Sequence, residues 1–289
     1  MSIAEAAAGA IGAELESARR VAGGDINDAW LLELAGGTRA FVKSRAEATP
    51  GEYATEAAGL RWLGAIEDGL RVPEVLAEDD AFLALAWIDE GRLDPAGEEE
   101  LGRGLARLHA AGAPAFGAPP PDAPLEGLRL GAVVLPAATG DDWPSFYGEH
   151  RLAPLLRAAA DRGALPHGGA AAIERVIERL PALAGPPAPP ARLHGDLWGG
   201  NVLAGADGRP YLIDPAAYGG HREVDLAMLR LFGAPSPRTF AAYEEVHPLA
   251  DGHERRVPLW QLFPLLVHAV LFGGSYGASA VRAAHDAAR

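Results

Sequence analysis

His194-Gly195-Asp196-Leu197-Trp198-Gly199-Gly200-Asn201 is followed by Val202-Leu203-Ala204, a turn through Gly205-Ala206-Asp207-Gly208, and then Tyr211-Leu212-Ile213-Asp214-Pro215. Two short apolar runs around an Asp-Gly turn read as a β-hairpin. If 204 faces 211, then 202 faces 213 and Asn201 faces Asp214. Such a pairing sets an amide beside a carboxylate at the open end of the hairpin, with Asp196 left on the preceding loop. An amide and a carboxylate suit Mg²⁺, which takes one or two carboxylates and completes its shell with water and phosphate oxygens. Asp196 is then a candidate base.

Taken singly, Asp and Asn are ordinary turn residues. The joint pattern is more specific: Asp, a gap of four, Asn, a hairpin, then Asp-Pro after an apolar strand. Protein kinases use an Asp-x-x-x-x-Asn loop followed by a metal-binding Asp.

Composition narrows the alternatives. The chain has 289 residues, enough for one large core or for two lobes sharing a cleft. A net charge of −14 argues against nucleic acid and against an anionic membrane surface as partners. With no cysteine, thiolate metal sites and thiol nucleophiles are excluded. No apolar run approaches a membrane span and no charged n-region precedes a signal core, so the expected location is the cytoplasm. Of the 25 basic residues only Lys43 is a lysine. A chain that uses Arg everywhere else has kept one compact ammonium, the group suited to a buried phosphate contact.

The N-terminal part reads as a helix over 2–18, a strand ending near Val21, a Gly-Gly turn, strands over 29–34 and 40–43, and a helix over 51–66. Backbone N–H groups of 22–28, with Gly24, Asp25, Ile26 and Asn27, could cover phosphates. Glu56, thirteen residues after Lys43, is placed to pair with it and aim it at the α/β-phosphates. Strands over 72–76 and 81–88 follow. A boundary after Ile88 divides the chain into a nucleotide-binding lobe, 1–88, and a helical lobe, 89–289, with the backbone of Ala86, Trp87 and Ile88 at the adenine edge. Residues 112–140 read as a long surface loop, Asp142 as a helix N-cap, and Asp225 as an acid able to hold backbone N–H groups of the catalytic loop.

The 194–201 stretch, together with Asp214-Pro215-Ala216 and Tyr218-Gly219-Gly220-His221, resembles the fructosamine kinase (ketosamine-3-kinase) family. Gly23-Gly24-Asp25-Ile26, Phe41-Val42-Lys43, the Asp-Asp-Trp-Pro of 141–144 and the Trp-Gln-Leu-Phe of 260–263 match as well, so the likeness spans nearly the whole chain. Trp198 separates it from antibiotic and choline kinases, which usually place other residues there. The resemblance implies an α+β, protein-kinase-like bilobal fold, with a small antiparallel-sheet N-lobe carrying one key helix and a larger, mainly helical C-lobe. It also implies ATP-dependent phosphorylation of the 3-hydroxyl of a glycated amine or glycated lysine, a deglycation-type repair. On that reading Asp196 orients the hydroxyl, Asn201 and Asp214 hold Mg²⁺ and no other metal is used. Lys43 and Glu56 serve the phosphates, and Trp198, His194 and His221 face the substrate. Relatives often carry Cys where this chain has Asp25, and a carboxylate there should point away from phosphates. A kinase for an aminoglycoside, choline or another small molecule, and a non-catalytic nucleotide-binding protein, stay open as alternatives.

Overall fold

The computed structural model describes residues 2–21, 27–232 and 235–289. Five strands form an antiparallel sheet in the order β1-β2-β3-β5-β4: β1 (Leu15–Arg20), β2 (Asp28–Leu34), β3 (Thr38–Ser44), β4 (Val75–Asp79) and β5 (Phe82–Ala86). Helix α1 (Ile3–Ile11) is closed at its start by a capping box between Ser2 and Glu5. It stops well short of the expected residue 18. Gly12 takes the left-handed conformation, φ 80°, and its N–H returns to the Ala8 and Gly9 carbonyls. The chain then has room to turn and pair along β2, so residues 15–18 are strand.

The period of two along β3 decides what each face carries. Ala40 and Val42 are fully buried beneath Ala4, Ala7 and Ala8 of α1. Phe41 and Lys43 alternate to the other face, where α2 (Glu52–Gly64) packs Tyr53, Ala57 and Leu60 against Leu83 and Leu85 of β5. The strand therefore presents its one ammonium to the helix that carries Glu56.

Beyond residue 90 the chain is mainly helical. Asp94 caps α3 (Pro95–Ala110), its carboxylate accepting from the Gly97 N–H at 2.7 Å. The stretch expected to be loop contains a small hairpin, β6 (Leu128–Leu130) with β7 (Val133–Leu135), whose leucines and Val133 enter the core. Asp142 caps α4 (Trp143–Tyr147). A π-helical turn, Gly148–Leu152, leads into α5 (Ala153–Asp161), and α6 (Gly169–Glu178) and α7 (Leu180–Leu183) complete this layer. Strand β8 (Ala191–Leu193) delivers the 194–201 loop and pairs with β11 (Tyr218–Gly220), while β9 (Val202–Ala204) and β10 (Pro210–Leu212) form the hairpin. Helices α8 (Glu223–Leu229), α9 (Pro237–Val246), α10 (His253–Phe272) and α11 (Tyr276–Ala287) close the structure.

The sheet is tied to the helical part at two places. The connection after β5 bonds to the hairpin turn, Gly91 N–H to Ala204 O at 2.8 Å and Ala206 N–H to Asp89 O at 2.7 Å. Helix α2 rests on the segment after β10, where a Cβ at Gly59 would meet Pro215 and Ala217. Arg192 of β8 clamps the same helix. Its guanidinium lies over the Trp62 ring, 4.7 Å from the centroid, and its Nη1 donates to Trp62 O at 2.6 Å. Removing the guanidinium abolishes a charged hydrogen bond and a cation–π contact, together about 2 kcal/mol. Arg192→Ala is expected to lower Tm by several degrees, with Arg192→Lys recovering part of the loss. An unchanged Tm would show that the clamp adds nothing to the packing of α2.

Candidate active site

The hairpin forms, but its register differs by one residue from that expected. Pro210 faces Ala204, Tyr211 faces Leu203 and Leu212 faces Val202, so Asn201 lies opposite Ile213, whose N–H donates to Asn201 O at 3.1 Å. The turn is five residues long, with Gly205 N–H bonded to Arg209 O and Gly208 at φ 77°. A one-residue shift ordinarily sends a side chain to the opposite face. Asp214 escapes this because it sits at φ 52°, in the left-handed region that only a few non-glycine residues occupy. The strand breaks there and the carboxylate turns towards β3.

Lys43 meets it. Its Nζ lies 2.6 Å from Glu56 Oε2 and 2.8 Å from Asp214 Oδ1, although Lys43 and Asp214 are 171 positions apart. Burial of Lys43 works against its charge, but the Glu56 and Asp214 carboxylates outweigh it and hold the ammonium protonated well above its ordinary range. Burial likewise raises Asp214, yet the ammonium leaves it below the ordinary carboxylate value. Glu56, whose Oε1 is buried without a partner, is pushed up to about 7, chiefly by burial and with Asp214 adding to the effect.

Asn201 is fixed by Asp196. Its Nδ2 donates to Asp196 O at 2.8 Å and to Asp196 Oδ2 at 3.1 Å, which assigns the amide orientation and leaves Oδ1 available as an acceptor. One amide oxygen beside one half-exposed carboxylate suits Mg²⁺, which keeps water and phosphate oxygens around it. A dedicated cage is not what this set resembles: among the described residues no group of three His, Cys, Asp or Glu could hold a metal. Burial pushes the Asp196 carboxyl up to about 6; Asn201 opposes the rise, and Asp214 and Asp225 reinforce it.

The loop carrying Asp196 is held from behind by Asp225, on the first turn of α8. His194 N–H donates to Asp225 Oδ2 at 2.7 Å and Gly195 N–H to Oδ1 at 3.0 Å. His109, at the end of α3, backs this carboxylate with Nε2 at 3.4 Å and has Nδ1 at 2.9 Å from Tyr243 Oη. Sequence reading assigned His109 no role, because the carboxylate it backs lies 116 positions away. Only its partner reveals its place.

Two residues expected to face substrate lie elsewhere. His194 is fully buried; its Nε2–H donates to Ile213 O at 2.9 Å and its Nδ1 accepts from Asp196 N–H at 3.3 Å, so it braces the loop. His221 is buried against the Trp260 ring at 5.1 Å and the Trp143 ring at 6.0 Å. Burial lowers both, His221 to about 4, so both are neutral. Trp198, by contrast, is 40% exposed. At the expected adenine edge, Ala86 N–H is spent on Glu74 O and Trp87 N–H on Arg39 O, so neither is offered to a base, and Ile88 follows them in the same connection. Asn27 Oδ1 accepts from Tyr53 Oη at 3.2 Å. Gly24, Asp25 and Ile26 lie outside the described residues.

The profile of the family described as fructosamine kinase matches residues 2–288. The probable ketoamine kinase of Thermus thermophilus is 38% identical over 255 residues, covering 88% of this chain and 87% of its own. A crystal structure of a Thermobifida fusca protein assigned as a fructosamine-3-kinase superposes with a TM-score of 0.92 at 44% identity, covering 100% of this chain and 99% of that one. Choline kinase from Streptococcus pneumoniae superposes at 0.62 with 16% identity, covering 95% of this chain and 94% of its own, a likeness of fold alone. The fold is protein-kinase-like, an antiparallel-sheet part joined to a helical part.

Proposed function

Because the chain belongs to the fructosamine kinase family, we propose that this phosphotransferase moves the γ-phosphoryl group of ATP to the 3-hydroxyl of a ketosamine, a sugar joined to an amine by glycation. The single observation that carries this reading is the Lys43 ammonium held between Glu56 and Asp214, next along the chain from Ile213, which bonds across the hairpin to Asn201, itself bonded to Asp196. Lys43 binds the α/β-phosphates, its stem fixed by the β3 pairing and its head by Glu56. Asp196 receives the hydroxyl hydrogen bond and orients the oxygen for in-line attack. An alcohol is far too weak an acid to be ionised beforehand, so the proton reaches Asp196 late, as the bond to phosphorus forms. Asp225 and His194 keep the loop from shifting while this happens. A magnesium ion held by Asn201 and Asp214 would supply charge neutralisation for the transferring phosphoryl group. Such chemistry would mark or release glycation adducts, a repair role in the cytoplasm.

The test is acceptor-dependent ADP formation with ATP and Mg²⁺, on a fructosamine such as glycated lysine and on a panel of aminoglycosides, choline and free sugars. The expected result is turnover of the fructosamine above all others, with phosphorus NMR locating the phosphate on the 3-oxygen. Turnover of a panel member with an inert fructosamine would overturn the reading.

A further inference from the structure

Trp198, two residues after Asp196, lies over a neighbour without a side chain. A Cβ at Gly200 would lie 2.3–2.6 Å from three carbons of the indole six-membered ring, so the ring folds directly over the Gly200 backbone. The indole then meets Phe232 edge-on, with centroids 6.3 Å apart and planes at 84°. From Phe232 the aromatic surface continues. His268 lies 4.9 Å from Phe232, 5.0 Å from Tyr276 and 5.5 Å from Phe272. Phe272 is the most exposed large apolar side chain of the row, at 55%. A row of four rings thus runs away from the catalytic loop across the ends of α8, α10 and α11. A cleft of about 330 Å³ adjoins it, lined by Phe232, Tyr276, Gln261, Ser279 and Arg282.

The row is uncharged. His268 Nδ1–H donates to Pro264 O at 2.7 Å, which leaves Nε2 as an acceptor, and burial keeps the imidazole below its ordinary pKa. Aromatic faces of this kind attract an ammonium and bury planar or aliphatic groups. Trp198 and Phe272, at the two ends of this aromatic run, are exposed, with the rings between them half-buried, and a contiguous apolar patch of this kind marks a binding surface. Its position fixes which part of a substrate would reach it. A sugar hydroxyl at Asp196 sets the sugar beside Trp198, and the amine and its substituent extend outward along the rings.

We infer that Phe232, His268, Phe272 and Tyr276 form a subsite for the amine substituent of the acceptor, selecting small amines with an apolar, above all aromatic, substituent. This rests on the ketosamine kinase reading. The test compares the 1-deoxyfructosyl derivatives of benzylamine and of glycine, in kcat/KM and in calorimetric binding, for the parent protein, Phe232→Ala and Phe272→Ser. The second variant alters an exposed side chain and preserves the fold. The expected result is about a tenfold preference for the benzyl derivative, carried by KM and matched in binding, that shrinks at least threefold in both variants. Phosphorylation of both derivatives with equal kcat/KM, or a preference unchanged in both variants, overturns the subsite and leaves the reaction standing. Tighter binding of the benzyl derivative that depends on Phe232 and Phe272, without phosphorylation of either compound, supports the subsite and overturns the reaction. Neither binding nor turnover overturns both.

Discussion

Replacing Asp196 by Asn will lower kcat by about 10³-fold or more, the scale of a lost general base together with a misdirected nucleophile. ATP affinity will stay close to that of the parent, because Asp196 bonds to Asn201 and not to Lys43. The same substitution will stabilise the free protein. Burial beside Asp214 and Asp225 pushes the Asp196 carboxyl to about 6 against an ordinary 3.8, so its ionised form is disfavoured by the fold. Two pKa units correspond to roughly 3 kcal/mol at most, and partial exposure to the cleft reduces this to about 1–2 kcal/mol. The sign follows from proton binding. Between the two pKa values the folded parent holds a proton that the unfolded chain has lost, so its stability falls as pH rises through about 6. The variant, with nothing to ionise, escapes that fall. Denaturant unfolding at pH 4 and pH 8, alongside single-turnover kinetics, measures both effects. A variant that keeps most of its rate would remove Asp196 from the chemistry, and one less stable at pH 8 would refute the burial argument.

Lys43 is the second decisive position. Lys43→Met leaves Glu56 and Asp214 facing each other with no cation between them, and removing one partner of a buried charge cluster costs about 3–5 kcal/mol. Phosphoryl transfer will fall by about 10²-fold or more, since the ammonium proposed to neutralise and align the phosphates is gone. Lys43→Arg will fail as well. Two oxygens at 2.6 and 2.8 Å surround a single nitrogen on a strand paired on both sides, with Ala29 and Leu83, and a planar fork has no room to replace it. The stability deficit of Lys43→Met will shrink as pH is lowered. The Glu56 carboxyl, pushed to about 7 even with the ammonium present, titrates higher without it, and its protonation relieves the repulsion. A deficit of the same size at pH 5 and pH 8 would show that lost packing, not charge, accounts for it. Normal turnover by Lys43→Arg would end the case for a point charge.

The residues themselves announced much of this. Asp196, Asn201 and Asp214 stood out by residue type and spacing, Lys43 by being the only lysine among Arg, and Asp225 by its place in the first turn of a helix. Strand and helix periods located β2, β3 and α2 closely, because a period of two or 3.6 is a local property. Errors arose where a local rule competed with a contact made elsewhere. The alanine-rich opening suggested a longer helix, but Gly12 ended it and β2 captured residues 15–20. His194 and His221 carried the appearance of site residues, and packing buried both.

What the sequence determined by itself, then, was the chemistry available and the elements that bear it, since residue type, spacing and period are written along the chain. The tertiary structure alone decided the rest: the hairpin register and the left-handed Asp214 that corrects for it, the Arg192 clamp on α2, and the row of rings beyond Trp198. Each depends on groups distant in sequence being pressed together by burial of apolar surface. A 2.8 Å contact between residues 43 and 214 exists only after that packing is complete.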